Sequence, residues 1–211
     1  MHFFNSIKIW AYLLLANRSL ISMRYNKFKV GSLLQGKSRI RISGRNNQII
    51  LGNGKYKNIR IGIDGNNNII EIGSGVEIGS LEIVIQDSMS KIVIGENTKI
   101  GGAKIVCCEY QDKILIGKNN LIADDVEFWV CDGHSIYQNG ERINSSKPII
   151  ISDNIWIGRS VKILKGVIIA SNSVVGMGSL VTAGRYSSRV LIAGIPAKVI
   201  KEGITWSAER T

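Results

Sequence analysis

One side chain in this 211-residue sequence stands out for the chemistry it could perform. His134 is one of only two histidines, the other being His2, and an imidazole can take up a proton near neutral pH. Proton removal of that kind activates an alcohol for attack on an acyl group. Ordinary surface or interface hydrogen bonding is the plainer role for the same ring. Asp132, two residues earlier, is a candidate orienting or substrate-binding carboxylate, although an i to i+2 spacing does not establish a dyad. The stretch SIYQNGERINSSKP at 135–148 is polar and turn-rich. Within it Tyr137, Glu141 and Arg142 could contact an acceptor, or Glu141 and Arg142 could pair with each other or with another subunit. Cys107, Cys108 and Cys131 are odd in number and lack staple or metal-ligand spacing. They read as core or near-core thiols in a reducing compartment, with no metal expected.

These groups need a rigid support, and the sequence around them is a repeat. Ile151, Ile157, Ile163, Ile169, Val175 and Val181 are six residues apart, with Ile149, Ile155, Val161 and Val167 forming a second set two positions earlier. Six residues turn an α-helix through about 600 degrees, far from a whole number of turns, so the set would scatter around its surface. A prism fits instead: short strands form the faces, tight turns the corners, and aliphatics point inward, with 18 residues for a three-faced coil. Gly158, Ala170 and Gly176 follow inward aliphatics, where close coils demand small residues. Upstream, GRNNQIILG at 44–52, GNNNIIEIG at 65–73, KIVIG at 91–95 and KILIG at 113–117 end in glycines 21, 22 and 22 residues apart. Three or four additional residues per coil are expected in the corners. From Gly117 to Ser152 the interval is 35 residues, one coil plus an excursion of about 17. This excursion is expected to protrude as a loop near 135–147, over a groove or a neighbouring subunit. The six-residue step Ile116, Ile122, Phe128 reaches His134 where it begins.

Composition agrees with such a fold. Apolar residues make up 45% and charged residues 20%, with 23 glycines and two prolines, a balance suited to short strands and many turns. The net charge of +11 favours an anionic partner such as a phosphorylated cofactor, an acidic glycan or a phospholipid surface. Nucleic acid is disfavoured, because no zinc-finger spacing, RNP-like aromatic run or arginine-rich helix is present. Ile7 to Ala16, IKIWAYLLLA, is shorter than the roughly 20 residues that span a bilayer. No small-x-small cleavage site follows it. Residues 1–30 are therefore expected to form a helical cap on the solenoid end or a neighbouring subunit, with an interfacial membrane helix as the alternative. The solenoid is expected over 31–200 and a tail over 201–211. The expected location is cytoplasmic, including the inner face of the membrane.

The sequence resembles the hexapeptide-repeat acyltransferases, whose fold is a left-handed parallel β-helix. The resemblance covers roughly 44–200 and is sharpest in IGKNNLIADDVEFWVCDGHSI at 116–136, PIIISDNIWIGRSVKILKGVIIASNSVVGMGSLV at 148–181 and IAGIPAKVIK at 192–201. GHSIYQNGERIN and NIWIGRSVKILKG are most similar to the branch that acetylates sugars, including bacterial capsule and polysialic-acid O-acetyltransferases. The resemblance implies an all-β fold, acetyl-CoA as donor, His134 as general base, and sites between subunits of a trimer. It also implies an acceptor hydroxyl on a surface glycan, and the positive charge favours an acidic one. Trp156, in the N-x-W-x-G element, would flank the acetyl end, stack on a sugar or pack at a corner. Gly158, Gly176 and Gly178 would leave room for the pantetheine arm, or simply permit the coil turns. Lys198 and Lys201 would meet the phosphates of coenzyme A. A small hydroxylated acceptor and a non-catalytic solenoid scaffold are the competing expectations.

Overall fold

In a short strand, alternate side chains point to the same side, so Ile or Val at every second position gives each segment one apolar face. Corners then turn that face inward. Many corner residues are asparagines with positive φ, among them Asn67 (58°), Asn97 (57°), Asn119 (56°), Asn154 (55°) and Asn172 (64°), a conformation that asparagine tolerates better than branched residues do. In the computed structural model, which describes residues 25–209, these segments stack into a three-faced parallel β-solenoid.

The first face is an eight-stranded sheet running from Lys27–Val30 through Gln48–Leu51, Ile69–Ile72 and Lys91–Ile94 to Gly184–Tyr186. The second and third faces merge into a 14-stranded sheet. They merge because Val76–Ile85 and Lys99–Cys107 each run unbroken through the corner between the two faces. Ile70, Ile92, Ile114, Ile149 and Ile169 are all fully buried, and burial of such a side chain contributes roughly 1.5–3 kcal/mol before entropy is subtracted.

Equivalent corner positions lie 21 residues apart at Asn47 and Asn68 and 22 apart at Asn68 and Ser90. The spacing becomes 35 at Asn120 and Ile155, and 18 at Asn154 and Asn172. The expected excursion is therefore present. The added residues of the wide coils are not confined to corners, contrary to expectation. Their third face carries three inward residues, as in Ile59, Ile61 and Ile63 or Leu81, Ile83 and Ile85, where the narrow coil has only Val161 and Ile163. An added pair lengthens a strand without disturbing its inward alternation, because the side-chain period is two. The remaining added residues do lie in the following corner.

That corner holds a buried polar ladder. Asn47 Nδ2 donates to Asn26 Oδ1 (3.1 Å) and to the Gly65 carbonyl (2.9 Å), and Asn47 Oδ1 accepts from the Asn68 backbone N–H (3.0 Å). The ladder continues from Asn68 Oδ1 to the Ser90 N–H at 2.8 Å. Most of the segment expected to be helical, residues 1–24, lies outside the described residues, and Lys27–Val30 is a strand of the solenoid. At the other end Ala197–Glu202 folds back antiparallel on Val190–Gly194. Among the described residues no helix is long and apolar enough to cross a membrane.

Candidate active site

The strand Val126–Trp129 and the buried Val130 complete the third face of their coil. The chain leaves the prism at Cys131 and returns at Ile149–Ile151. Between them Tyr137–Gln138 pairs antiparallel with Glu141–Arg142 around Asn139 (φ 52°) and Gly140 (φ 82°). Positive φ at both central residues matches the strand twist of a two-residue hairpin, and Asn-Gly favours that turn.

The hairpin is tied to the solenoid through Asn144, a side chain that sequence reasoning passed over. It is only 8% exposed. Its Nδ2 donates to the His134 carbonyl at 2.7 Å and to Asp132 Oδ2 at 2.8 Å, while its Oδ1 accepts from the Ile136 N–H at 2.7 Å. Lys165 Nζ donates to the same Asp132 oxygen and to the Asn144 carbonyl. Arg142 pairs with Glu109 rather than with Glu141, and Glu109 also accepts from the Ser146 N–H at 3.2 Å. The lysine hydrogen bond holds the Asp132 carboxyl below the usual carboxylate range, helped by the Asn144 amide and the Arg142 charge. The structure thus gives Asp132 and Arg142 anchoring partners, whereas Tyr137 is exposed at the hairpin.

His134 is held by its backbone alone. Its carbonyl accepts from Asn144, and the exposed imidazole makes no hydrogen bond or ion pair among the described residues. A fixed backbone with an uncommitted ring suits a group that must accept a proton from a bound molecule.

The cysteines depart from expectation. Cys108 and Cys131 form a disulfide with Cα atoms 6.1 Å apart, and Cys107 is the buried free thiol. The three are therefore not a set of free thiols. The sequence separation of 23 resembles no staple, but in a wide coil it brings two residues to the same corner one turn apart. Both flank the excursion: Cys131 precedes Asp132, and Cys108 precedes Glu109. Burial, reinforced by Asp112, pushes the Cys107 thiol well up. Among the described residues no group of His, Cys, Asp or Glu is placed to hold a metal ion.

Trp156 projects outward from Trp156–Ile157 on the second face and is 43% exposed. Trp206 of the tail lies beside it, with ring centroids 6.3 Å apart, and donates its indole N–H to the Asn154 carbonyl at 2.9 Å. Sequence reasoning assigned the tail no role, and a lone aromatic among polar residues was its only signal. An open groove of about 380 Å³ runs past Asn119, Leu121, Asn154 and Trp206. Gly158 and Gly176 are small because of the chain's own next coil: a Cβ on Gly158 would lie 2.6 Å from the Met177 nitrogen, and one on Gly176 would lie 3.0 Å from the Ala193 Cβ. Gly178, at φ 71°, faces open space. Lys198 and Lys201 are exposed on the returning strand, opposite Ala193 and Leu191.

His134 departs from the end of the third face, whereas Trp156 stands on the second face one coil later. The two positions emerge from different sides of the prism, and no described contact joins them.

No protein-family model matches the chain. The crystal structure of the polySia-specific acetyltransferase NeuO aligns with it at a TM-score of 0.80 and 35% identity, over 87% of this chain and 85% of that one. The chain belongs to the hexapeptide-repeat acyltransferases. Within that family, the polysialic acid O-acetyltransferase OatWY also aligns at a TM-score of 0.80, with 33% identity over 88% of this chain and 89% of the other. Two curated polysialic acid O-acetyltransferases are similar in sequence, from Escherichia coli O1:K1 / APEC (39% over 89 residues) and Neisseria meningitidis (37% over 88 residues). Each match covers 41% of this chain, but only 29% and 41% of those family members.

Proposed function

We propose that this chain transfers the acetyl group of acetyl-CoA to a hydroxyl of an acidic, sialic-acid-containing capsular glycan. The observation that carries the chemistry is the uncommitted imidazole of His134 on a backbone held by Asn144. The acceptor class rests on the likeness, over 87% and 88% of this chain, to two acetyltransferases described as acting on polysialic acid and on the net charge of +11. His134 removes the proton of the sugar hydroxyl as its oxygen attacks the thioester carbon. The tetrahedral intermediate collapses by expelling the coenzyme A thiolate, which takes the proton back from the imidazolium. Hydrogen-bond donors around the thioester oxygen stabilise the charge that develops there.

The separation of His134 from Trp156 within one chain supports a site built between copies, with the His134 loop of one subunit facing the Trp156 face of the next in a homotrimer. In that arrangement the Trp156 face and the exposed Lys198 and Lys201 serve the donor, the lysines as partners for its phosphates. Gly178 leaves space for the pantetheine arm. Incubating polysialic acid with acetyl-CoA and following the glycan by mass spectrometry tests the reaction. Acetyl groups are expected with the unmodified protein and not with His134→Ala. Acetylation confined to neutral galactosides would reject the acidic acceptor. Co-assembled His134→Ala and Trp156→Ala subunits are expected to regain part of the activity, and its complete absence in verified mixed oligomers would reject the shared site.

A further inference from the structure

Charge is distributed very unevenly along this chain. From residue 64 onward 15 lysines and arginines face 16 acidic residues, whereas residues 1–63 carry 12 lysines and arginines and no Asp or Glu. Nine of these cations lie within the described coils, and all nine are exposed. Lys27 and Lys29 stand on the first face, Lys55 and Lys57 on the second, and Arg39 and Arg41 on the third. Arg60 extends the third-face row, while Lys37 and Arg45 occupy corners. Of the nine, only Lys55 forms an ion pair among the described residues, with Glu77. The cations therefore ring one end of the prism, and only Lys55, Lys57 and Arg60 among them also line open grooves.

Charged side chains, lysine especially, discourage strand-to-strand aggregation at a sheet edge, but Lys55, Lys57 and Arg60 lie one coil in from the edge. A ring of one sign repels itself and gains most from an anionic partner. Its geometry selects among partners. A linear polyanion would be served by a stripe along one face, whereas cations around the whole circumference of a prism end match a plane. In the sequence an apolar run at 7–16, set among Lys8, Arg18 and Arg24, precedes the first coil, and Leu33 of that coil is 56% exposed. Basic side chains next to an apolar segment form the combination that binds anionic bilayers.

We infer that the N-terminal coils dock end-on against an anionic phospholipid surface. This stands apart from acetyl transfer, so either can fail without the other. The test is co-sedimentation of the full chain with vesicles of phosphatidylcholine alone or of equal parts phosphatidylcholine and phosphatidylglycerol. Binding is expected with the anionic vesicles and is expected to be released by high salt. It should weaken at least about tenfold when Lys29, Lys37, Arg41 and Lys57 are all changed to Gln. The same number of Gln substitutions at Lys91, Lys113, Arg159 and Arg185 should leave it nearly unchanged, with thermal unfolding confirming that both variants fold. Equal binding to neutral vesicles, salt-insensitive binding, or equal weakening by the two sets would overturn the inference. So would absent vesicle binding together with retention of soluble polysialic acid that depends on the first set, because the ring would then serve the polymer.

Discussion

Between residues 47 and 90 each coil takes 21 or 22 residues, whereas the coil from 154 to 172 takes 18 and the last one 17. The two regions bury aliphatics by the same alternation but differ in what their surfaces carry. The wide coils have a third inward residue on one face, an internal asparagine ladder and a ring of exposed cations. The narrow coils carry the exposed Trp156, with the hairpin leaving the prism just before them. The two halves of the candidate site therefore straddle the change in coil length, His134 leaving a wide coil and Trp156 standing on the 18-residue one. The wide coils accept a two-residue extension because it keeps the inward alternation of the strand, and the last of them carries the strand Val126–Trp129 from which the His134 excursion departs.

The largest test of this division is His134→Ala, which should lower turnover by about 10²- to 10⁴-fold while leaving donor affinity and thermal unfolding nearly unchanged. Loss of coenzyme binding of the same size would mean that the histidine does not act mainly as a base. In the wide coils Asn47→Leu should do the opposite. It strands buried partners in the ladder at about 1–3 kcal/mol for each group left unpaired. Chemical denaturation should show the loss, with activity per folded molecule intact.

Asn144→Ala, at the junction, should have an intermediate effect. It removes the donor to the His134 carbonyl and the acceptor of the Ile136 N–H, and one such loss is about 1–3 kcal/mol. Much of that should appear as local opening of 132–146 in hydrogen exchange and as reduced kcat, with a smaller change in the KM for acetyl-CoA. Global destabilisation with unchanged kcat would reduce Asn144 to a packing residue. The smallest effect concerns pH. The folded-state pKa of Asp132 lies below its ordinary value, so its contribution is present above the unfolded value near ~3.9 and is lost as the pH falls through the folded one. Because the side chains of Asp132 and Lys165 are partly exposed, at 40% and 19%, solvent screens the pair. Acid should loosen exchange at 132–144 before the solenoid unfolds, and Lys165→Met should move that loosening to higher pH.

The six-residue steps from Ile151 to Val181 were enough to determine a solenoid, because period-two strands with regular corners allow few other packings. The same holds for the excursion near His134, which shows as a gap in an otherwise continuous pattern, and for the Asn-Gly turn at its tip. Other features depended on how coils of unequal length stack. The Cys108–Cys131 bridge joins residues one wide turn apart, a distance unknown until the third face is seen to hold three inward positions. Asn144, Lys165 and Glu109 come from three separate stretches of sequence and meet only where the hairpin folds against the prism. Trp206 reaches Trp156 only because the last strand reverses direction. Local alternation and turn chemistry are written residue by residue, whereas these contacts depend on the accumulated length of every coil between the partners.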